Sequence, residues 1–287
     1  MLRSSSMIAQ LLKHGRDFCL QPLRETLQLL ATELRQSRLE HLAASPRYAD
    51  PRCLTRWGYR CSSQNDEDGI IDEIFRRIGT TNREFIEFGV QTGLENNTVA
   101  LLLANWSGLW IEANPDATQI ARREFSVPIR EGRLRLTEAF VTAETIEELF
   151  QQDNVSTEPD LLSIDIDGND YWVWKAIVRY RPRVIVIEYN ANLGRSTRLV
   201  RPYDPAARWD STMAYGASLG ALEELGRTKG YALVGCNLIG VNAFFVRNDC
   251  LGERFLEPYT SVQHFEPPRF GVGFAGHRTR WARFDSV

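Results

Sequence analysis

The spacing of apolar positions changes once along the chain. Up to about residue 45 it is helical. Leu23, Leu27, Leu30 and Leu34 recur at intervals of four, three and four, with Arg and Glu between them, so they share one stripe of one helix. Packing on a domain or contact between subunits would each produce such a stripe, and its length falls short of a coiled coil. ASPRYADPRC, residues 44–53, carries two prolines and reads as a linker. From about residue 60 the pattern alternates. SSQNDEDGIIDEIFRRIG predicts a helix capped by Ser63 or Asn65, with acids in its first turn and Gly79 after its end. EFIEFGV, GLWIEAN, RLRLTEAFV, DLLSIDID and RVIVIEYN predict strands. ENNTVALLLAN, PDATQIARREF, AETIEELFQQ and NDYWVWKAIVRY predict the helices between them. A loop of about 25 residues follows, long for a strand–helix connection. AYGASLGALEELGRTKG is then a helix, and YALVGCN and NAFFVRN face each other across LIGV as a hairpin.

Continuous apolar strands alternating with helices predict an α/β fold whose parallel sheet is covered on both faces. The hairpin makes seven strands and forces the last one antiparallel. The expected organisation is an N-terminal helical extension and linker over 1–57, a ligand-binding domain over 58–250, and a C-terminal tail over 251–287 that could cover the site.

In such sheets ligands sit outside the carboxyl ends of the strands. The first strand ends in Glu87, Gly89, Gln91 and Gly93. The glycines allow positive φ and close backbone approach, although a plain tight turn would use them too. The dinucleotide signature G-x-G-x-x-G is missing, and an acid there suits a cofactor with a cationic amine better than one with phosphates. The second strand ends in Glu112, placed to accept both ribose hydroxyls of a nucleoside. Ala139 and Phe140, past the third strand, could flank an adenine. The fourth strand closes on Asp165, Asp167 and Asp170, and the fifth on Glu188 and Asn190. Converging carboxylates suit Mg²⁺ or Ca²⁺, a general base, or simply a helix cap. Asp165, Asp167, Glu188 and Asn190 are the expected catalytic set, and Asp165, Asp167 and Glu188 the expected ligands of a divalent ion such as Mg²⁺.

The long loop holds Arg195, Arg198, Arg201, Tyr203, Trp209 and Tyr215. Aromatics beside hydrogen-bonding groups suit a sugar ring and arginines a phosphate or acidic sugar, so Arg195, Tyr203 and Tyr215 are the expected substrate contacts, although an ordinary basic surface loop would read the same. His264 and His277 in the tail are further candidate proton acceptors. Asn237 and Asn242 flank the hairpin turn, where turn chemistry accounts for them. Trp172 and Trp174 sit two apart on a helix and face different sides.

Composition narrows the classes. The 287 residues are 43% hydrophobic and 25% charged, with a net charge of −3, which is globular and gives no basic face for nucleic acid. Five cysteines without CxxC spacing point to reduced thiols and a cytoplasmic setting. The first twenty residues make a poor signal peptide and are too short to span a membrane. As a weak basic amphipathic helix they are compatible with contact at the inner membrane face.

The segments SQNDEDGIIDEIF, FIEFGVQTGLENNT, GLWIEAN, LLSIDIDGNDYWVW, VIVIEYNAN, AYGASLGALEELGRTKGYALVGCN and GVNAFFVRND resemble the FkbM-type branch of class I S-adenosylmethionine-dependent methyltransferases. The likeness extends to a bacterial group met near surface-polysaccharide genes, and covers about residues 58–250. It implies a Rossmann-like methyltransferase sheet and an O-methyltransferase acting on a sugar hydroxyl of a surface glycan or glycosylated metabolite. It implies that Glu87, Gly89, Gly93 and Glu112 hold the cofactor. Phe88, Asn97, Ala113, Ala139 and Asp165 complete the expected cofactor site, and a homo-oligomer is expected. FkbM-type proteins commonly carry D-x-E-G where this chain has Asp165-Ile166-Asp167-Gly168, which shortens the second acid. Two other readings remain open: an NAD-dependent sugar oxidoreductase, against which the missing glycine signature argues, and a non-catalytic nucleoside- or glycan-binding subunit.

Overall fold

A computed structural model describes residues 2–206, 208–270, 277 and 282–287, with side chains from Gln21 onward. The chain divides into two compact units, Met1–Ala49 and Asp50–Val287. The first is one long helix, α1 (Leu2–Ala43), and a 3-10 turn, Pro46–Tyr48.

The second unit alternates as the sequence pattern predicts. Its elements are α2 (Glu67–Ile78), β1 (Glu84–Phe88), α3 (Val99–Leu103), β2 (Ser107–Glu112), α4 (Pro115–Glu124), α5 (Ser126–Arg130), β3 (Leu134–Glu138), α6 (Ile146–Gln152), β4 (Leu161–Ile164), α7 (Asp170–Ala176), β5 (Val184–Glu188), β6 (Leu199–Val200), α8 (Leu219–Thr228), β7 (Tyr231–Cys236), β8 (Asn242–Arg247), α9 (Asn248–Leu251), α10 (Ser261–His264) and β9 (Asp285–Ser286). Seven strands form one sheet in the order β3-β2-β1-β4-β5-β8-β7. All pair in parallel except β8, which runs antiparallel between β5 and β7. This is the Rossmann-like methyltransferase arrangement, with the order reversing between β1 and β4.

Alternation along the central strands explains why the sheet is covered twice. Ile86, Phe88, Leu162, Ile164, Ile185 and Ile187 enter one core cluster, while Phe85, Leu161, Val184 and Val186 enter the other. Successive side chains leave a strand on opposite faces, so a run without polar breaks must be buried on both.

Two boundaries shift from the sequence reading. Residues 50–57, expected as linker, belong to the second unit. Leu54 is buried in its core, and the Thr55 hydroxyl donates to the Cys236 carbonyl at 3.0 Å. The C-terminal segment also folds in: β9 pairs with β6, Phe255 is buried, and the Tyr189 hydroxyl donates to the Glu266 carbonyl at 2.6 Å. Helix ends differ as well. α3 and α7 are shorter than their apolar runs. At the start of α2, the Ser63 Oγ does accept the Asp68 N–H, at 3.3 Å, but Asn65 does not cap. Asp68 instead reaches back to accept the N–H groups of Cys61, Ser62 and Ser63 at 2.6–2.8 Å.

Candidate active site

Register brings four carboxyl ends together. Phe88 lies opposite both Ile111 and Ile164, and Ile164 opposite Ile187. The next residues, Gly89, Glu112, Asp165 and Glu188, therefore form a row at one sheet edge.

The β1–α3 turn is held by the protein itself. Gly89 has φ +80°, and a Cβ added there would lie 1.5 Å from the Asp165 carbonyl oxygen. Glycine is required for a strand-to-strand approach, whatever ligand binds. Gln91 (φ +49°) and Gly93 (φ +80°) continue the turn. Glu112 ties it to the next loop: one carboxylate oxygen accepts the Gln91 N–H at 2.6 Å and the other the Asn114 N–H at 2.7 Å.

Glu87 points inward. Its carboxylate accepts the N–H groups of Asn97 (3.0 Å) and Thr98 (3.2 Å) and the Thr98 hydroxyl (2.5 Å). Burial pushes its carboxyl up to about 7 against these hydrogen bonds. It fixes the start of α3, so its expected place beside a cofactor becomes an indirect one. Asn97 donates to the Ser163 hydroxyl at 3.1 Å. Phe88 is fully buried against Phe150, which leaves only its backbone at the edge. Ala113 is exposed, and Ala139 packs on the core beside exposed Phe140, whose ring lies 5.4 Å from the Arg208 guanidinium.

The acids after β4 and β5 converge. Asp165, Asp167 and Glu188 each offer an oxygen, all within 4.8 Å of one another, and all three residues are partly buried. Asp167 sits at φ +57°, a left-handed conformation that turns the chain back toward the site. Asp170 serves the backbone instead. Its oxygens accept the N–H groups of Ile166 (2.8 Å) and Gly168 (2.9 Å), which winds the DGND turn around it. Burial, then repulsion from neighbouring acids, holds Asp165 and Glu188 well above the usual carboxylate range, and burial raises Asp167 also. One buried oxygen of Glu188 has no hydrogen-bond partner among the described residues.

Asn190 is placed differently from the expectation. It is fully buried, donates to the carbonyls of Met213 and Tyr215 at 2.8 Å each, and accepts the Asn192 N–H at 3.2 Å. Its polar atoms are occupied in clasping the 190–219 loop, which removes it from the acidic group. That clasp seats Tyr215, which is buried; burial and then Glu188, Asp165, Asp167 and Asp170 raise its hydroxyl, so the phenol lies in the field of the acids. Its ring meets Trp209 and His277. Tyr203 donates to Glu144 at 2.6 Å and stands beside Trp172. Arg195 is exposed on the loop. His264 is buried in α10, while burial lowers His277 within the aromatic group of Trp209 and Phe270. Trp174 is core and Trp172 donates to the Arg201 carbonyl.

A buried polar group adjoins the site and was hidden in the sequence. Asn242, opposite Glu188 in register, and Asn237 both donate to the buried Glu67 carboxylate, at 3.0 and 2.8 Å. Asp66 accepts the Leu238 N–H, and burial followed by Glu67 pushes it up to about 7. Asn237 also accepts the Val241 and Asn242 N–H groups, so turn chemistry is real but half of its role. The partners are 170 residues or more apart, beyond any local spacing rule.

No protein-family model matches the sequence, so the FkbM resemblance has no such support, and no curated protein matches it. Parts of several solved structures align with the chain. An O-methyltransferase from Bacillus cereus in complex with SAH aligns at 17% identity over 74% of this chain and 88% of its own, with TM-score 0.41. The pyocyanin biosynthetic protein PhzM aligns at 14% identity over 62% of this chain and 54% of its own, with TM-score 0.36. The METTL16 MTase domain aligns at 12% over 62% and 64%, with TM-score 0.40. This chain thus spans about half of PhzM and under two thirds of the METTL16 domain. At such distances the likeness transfers no activity, and the fold rests on the strand order itself.

Proposed function

We propose that the chain is an S-adenosylmethionine-dependent O-methyltransferase whose acceptor is a carbohydrate hydroxyl. The observation that carries this reading is the row of acids at the reversal point of the sheet: Glu112 at the end of β2, then Asp165, Asp167 and Glu188 within reach of one another. A ligand crevice belongs at that point of an open α/β sheet. Glu112 spends one lone pair per oxygen on backbone N–H groups and keeps others for the two ribose hydroxyls. The acids further along would face the cationic end of the donor.

The bound donor supplies a methyl group activated by its sulfonium. The chain's own residues supply alignment and a proton acceptor. With the donor bound, the methyl would be available to the acceptor oxygen as the carbon–sulfur bond broke, and the hydroxyl proton would pass to a carboxylate. Asp165 and Asp167 are assigned that role. Raised by burial and repulsion, their affinity for a proton is closer to that of the developing alkoxide than an ordinary carboxylate's. The three-carboxylate group also fits a divalent ion: its donors are hard oxygens, and Glu188 has an unpartnered oxygen. Such an ion would be held by Asp165, Asp167 and Glu188 and would lower the pKa of a coordinated hydroxyl. Tyr215, Tyr203 and Arg195 on the 190–219 loop are assigned to the sugar, with Tyr215 the deepest of the three.

The test is calorimetric titration of the full chain with S-adenosylmethionine and S-adenosylhomocysteine, with and without Mg²⁺, beside Glu112→Ala. Saturable micromolar binding, lost in the variant, is the expected result. Enhancement by Mg²⁺ that disappears in Glu188→Gln would assign the ion to the acids. A folded protein that binds neither nucleoside would remove the methyltransferase reading.

A further inference from the structure

The proposed function makes no use of α1, and its apolar stripe is the feature on which a separate inference rests. Leu23, Leu27, Leu30 and Leu34 are 54–71% exposed. Their 4-3-4 spacing places them within about 60° of one another on a helix of 3.6 residues per turn, alternating between the two core positions of a heptad. One chain leaves this seam open to solvent, a costly exposure for adjacent leucines.

The residues beside the seam choose among occupants. Between Gln21 and Ala43 the helix carries Arg24, Arg35 and Arg38 against Glu25, Glu33 and Glu40. An anionic membrane surface selects a face with net positive charge, and this one balances. For a helix pairing with its own copy, the flanking positions decide orientation. In a parallel pair, the residue just before a core position of one helix meets the residue five places further along the other. Here that sets Glu33 of one chain against Arg38 of the second copy, and Thr26 against Ala31. In an antiparallel pair, like positions meet, so Arg24, Ala31 and Arg38 face one another with no acid across. Glu33 makes no ion pair within its own chain among the described residues, and both Glu33 and Arg38 are exposed.

We propose that the Leu23–Leu34 face of α1 docks a second copy of this chain in parallel, closed by Glu33 of each helix on Arg38 of the other. The seam is about 17 Å long at 1.5 Å per residue. Such a contact buries less than the roughly 1,600 Å² of a standard stable interface, so the dimer forms and dissociates with concentration.

Sedimentation equilibrium of the full chain tests this over two orders of magnitude of protein concentration. The weight-average mass is expected to climb from one chain toward two. Leu27→Glu with Leu30→Glu should hold it at one chain, with unchanged near-UV circular dichroism showing that the second unit is intact. Glu33→Arg should weaken dimerisation at least threefold, and Glu33→Arg with Arg38→Glu should restore it, because the pair is reversed and kept. A mass that stays at one chain throughout overturns the proposal. So does a dimer indifferent to the leucine substitutions, since its interface would lie elsewhere. A Glu33→Arg variant that dimerises as well as the parent overturns the parallel register. Flotation of the monomeric parent with anionic vesicles, lost in the leucine variant, would give the face to a lipid surface instead.

Discussion

Gly89→Ala separates two reasons for a glycine at the end of β1. If glycine is there only for a ligand, alanine should leave the unliganded protein almost as stable as before. The structure argues otherwise. At φ +80° an L side chain costs about 1–2 kcal/mol. The new Cβ would lie 1.5 Å from the Asp165 carbonyl oxygen and 2.7 Å from its carbon, atoms of backbone that cannot rotate away. Relief requires the ends of β1 and β4 to part, an overpacking cost of about 1–3 kcal/mol. The sum is about 2–5 kcal/mol, or roughly 4–20 °C in Tm at 2–4 °C per kcal/mol. Gly132→Ala is the internal control. Gly132 has φ +72° with nothing within 4 Å of an added Cβ, so it carries the conformational cost of about 1–2 kcal/mol alone. Urea and thermal unfolding of both variants, without ligand, measure the difference. A Gly89→Ala protein as stable as Gly132→Ala would refute the reasoning. If it also lost donor binding, the glycine would belong to the ligand.

Arg183→Ala should destabilise by about 3–5 kcal/mol in urea titrations. It strips the guanidinium, at 2.7 Å, from Asp160, which is fully buried and also accepts Thr81 and Arg83 N–H groups; a loss under 1 kcal/mol would contradict this. Stability should also fall as pH rises. Glu87 and Asp66 are raised by burial from 4.5 and 3.8 to about 7. Each holds a proton in the folded chain that the unfolded chain releases earlier, so their contribution is complete below about pH 4 and lost through about pH 7. Urea midpoints should be lower at pH 8 than at pH 5, with a shallower decline in Asp66→Asn, whose amide oxygen still accepts the Leu238 N–H; a rise toward pH 8 would reverse the argument. Asn190→Ala should release the 190–219 loop, seen as faster hydrogen exchange at Met213 and Tyr215, with the sheet's exchange unchanged; equal exchange in both proteins would return Asn190 to the reaction centre.

Much of the fold was written in local pattern. Unbroken apolar runs such as VIVIE and EFIEF could only be strands covered on both faces, and two strands joined across LIGV had to be antiparallel. From those facts the sequence placed Glu112, Asp165, Asp167 and Glu188 together at the carboxyl edge of the sheet, where the register and their spacing put them. The roles of individual groups were less legible. Glu87 and Glu112 look alike as acids ending neighbouring strands, yet one turns inward to Thr98 and the other outward to the Gln91 turn. Asp167 and Asp170, three apart, divide into a member of the acidic cluster and a turn anchor for the same reason.

Sequence alone determined the seven main strands, the larger helices between them and which strand ends carry acids, because hydrophobic period and turn residues act over a few positions. Tertiary structure alone decided where each acid points and what it meets. It set Asn242 and Asn237 on Glu67, Asn190 on the loop it clasps, and the Asp165 carbonyl against Gly89. Those contacts join residues far apart in the chain, and a buried carboxylate takes its direction and its proton affinity from the donors and charges that folding brings within reach.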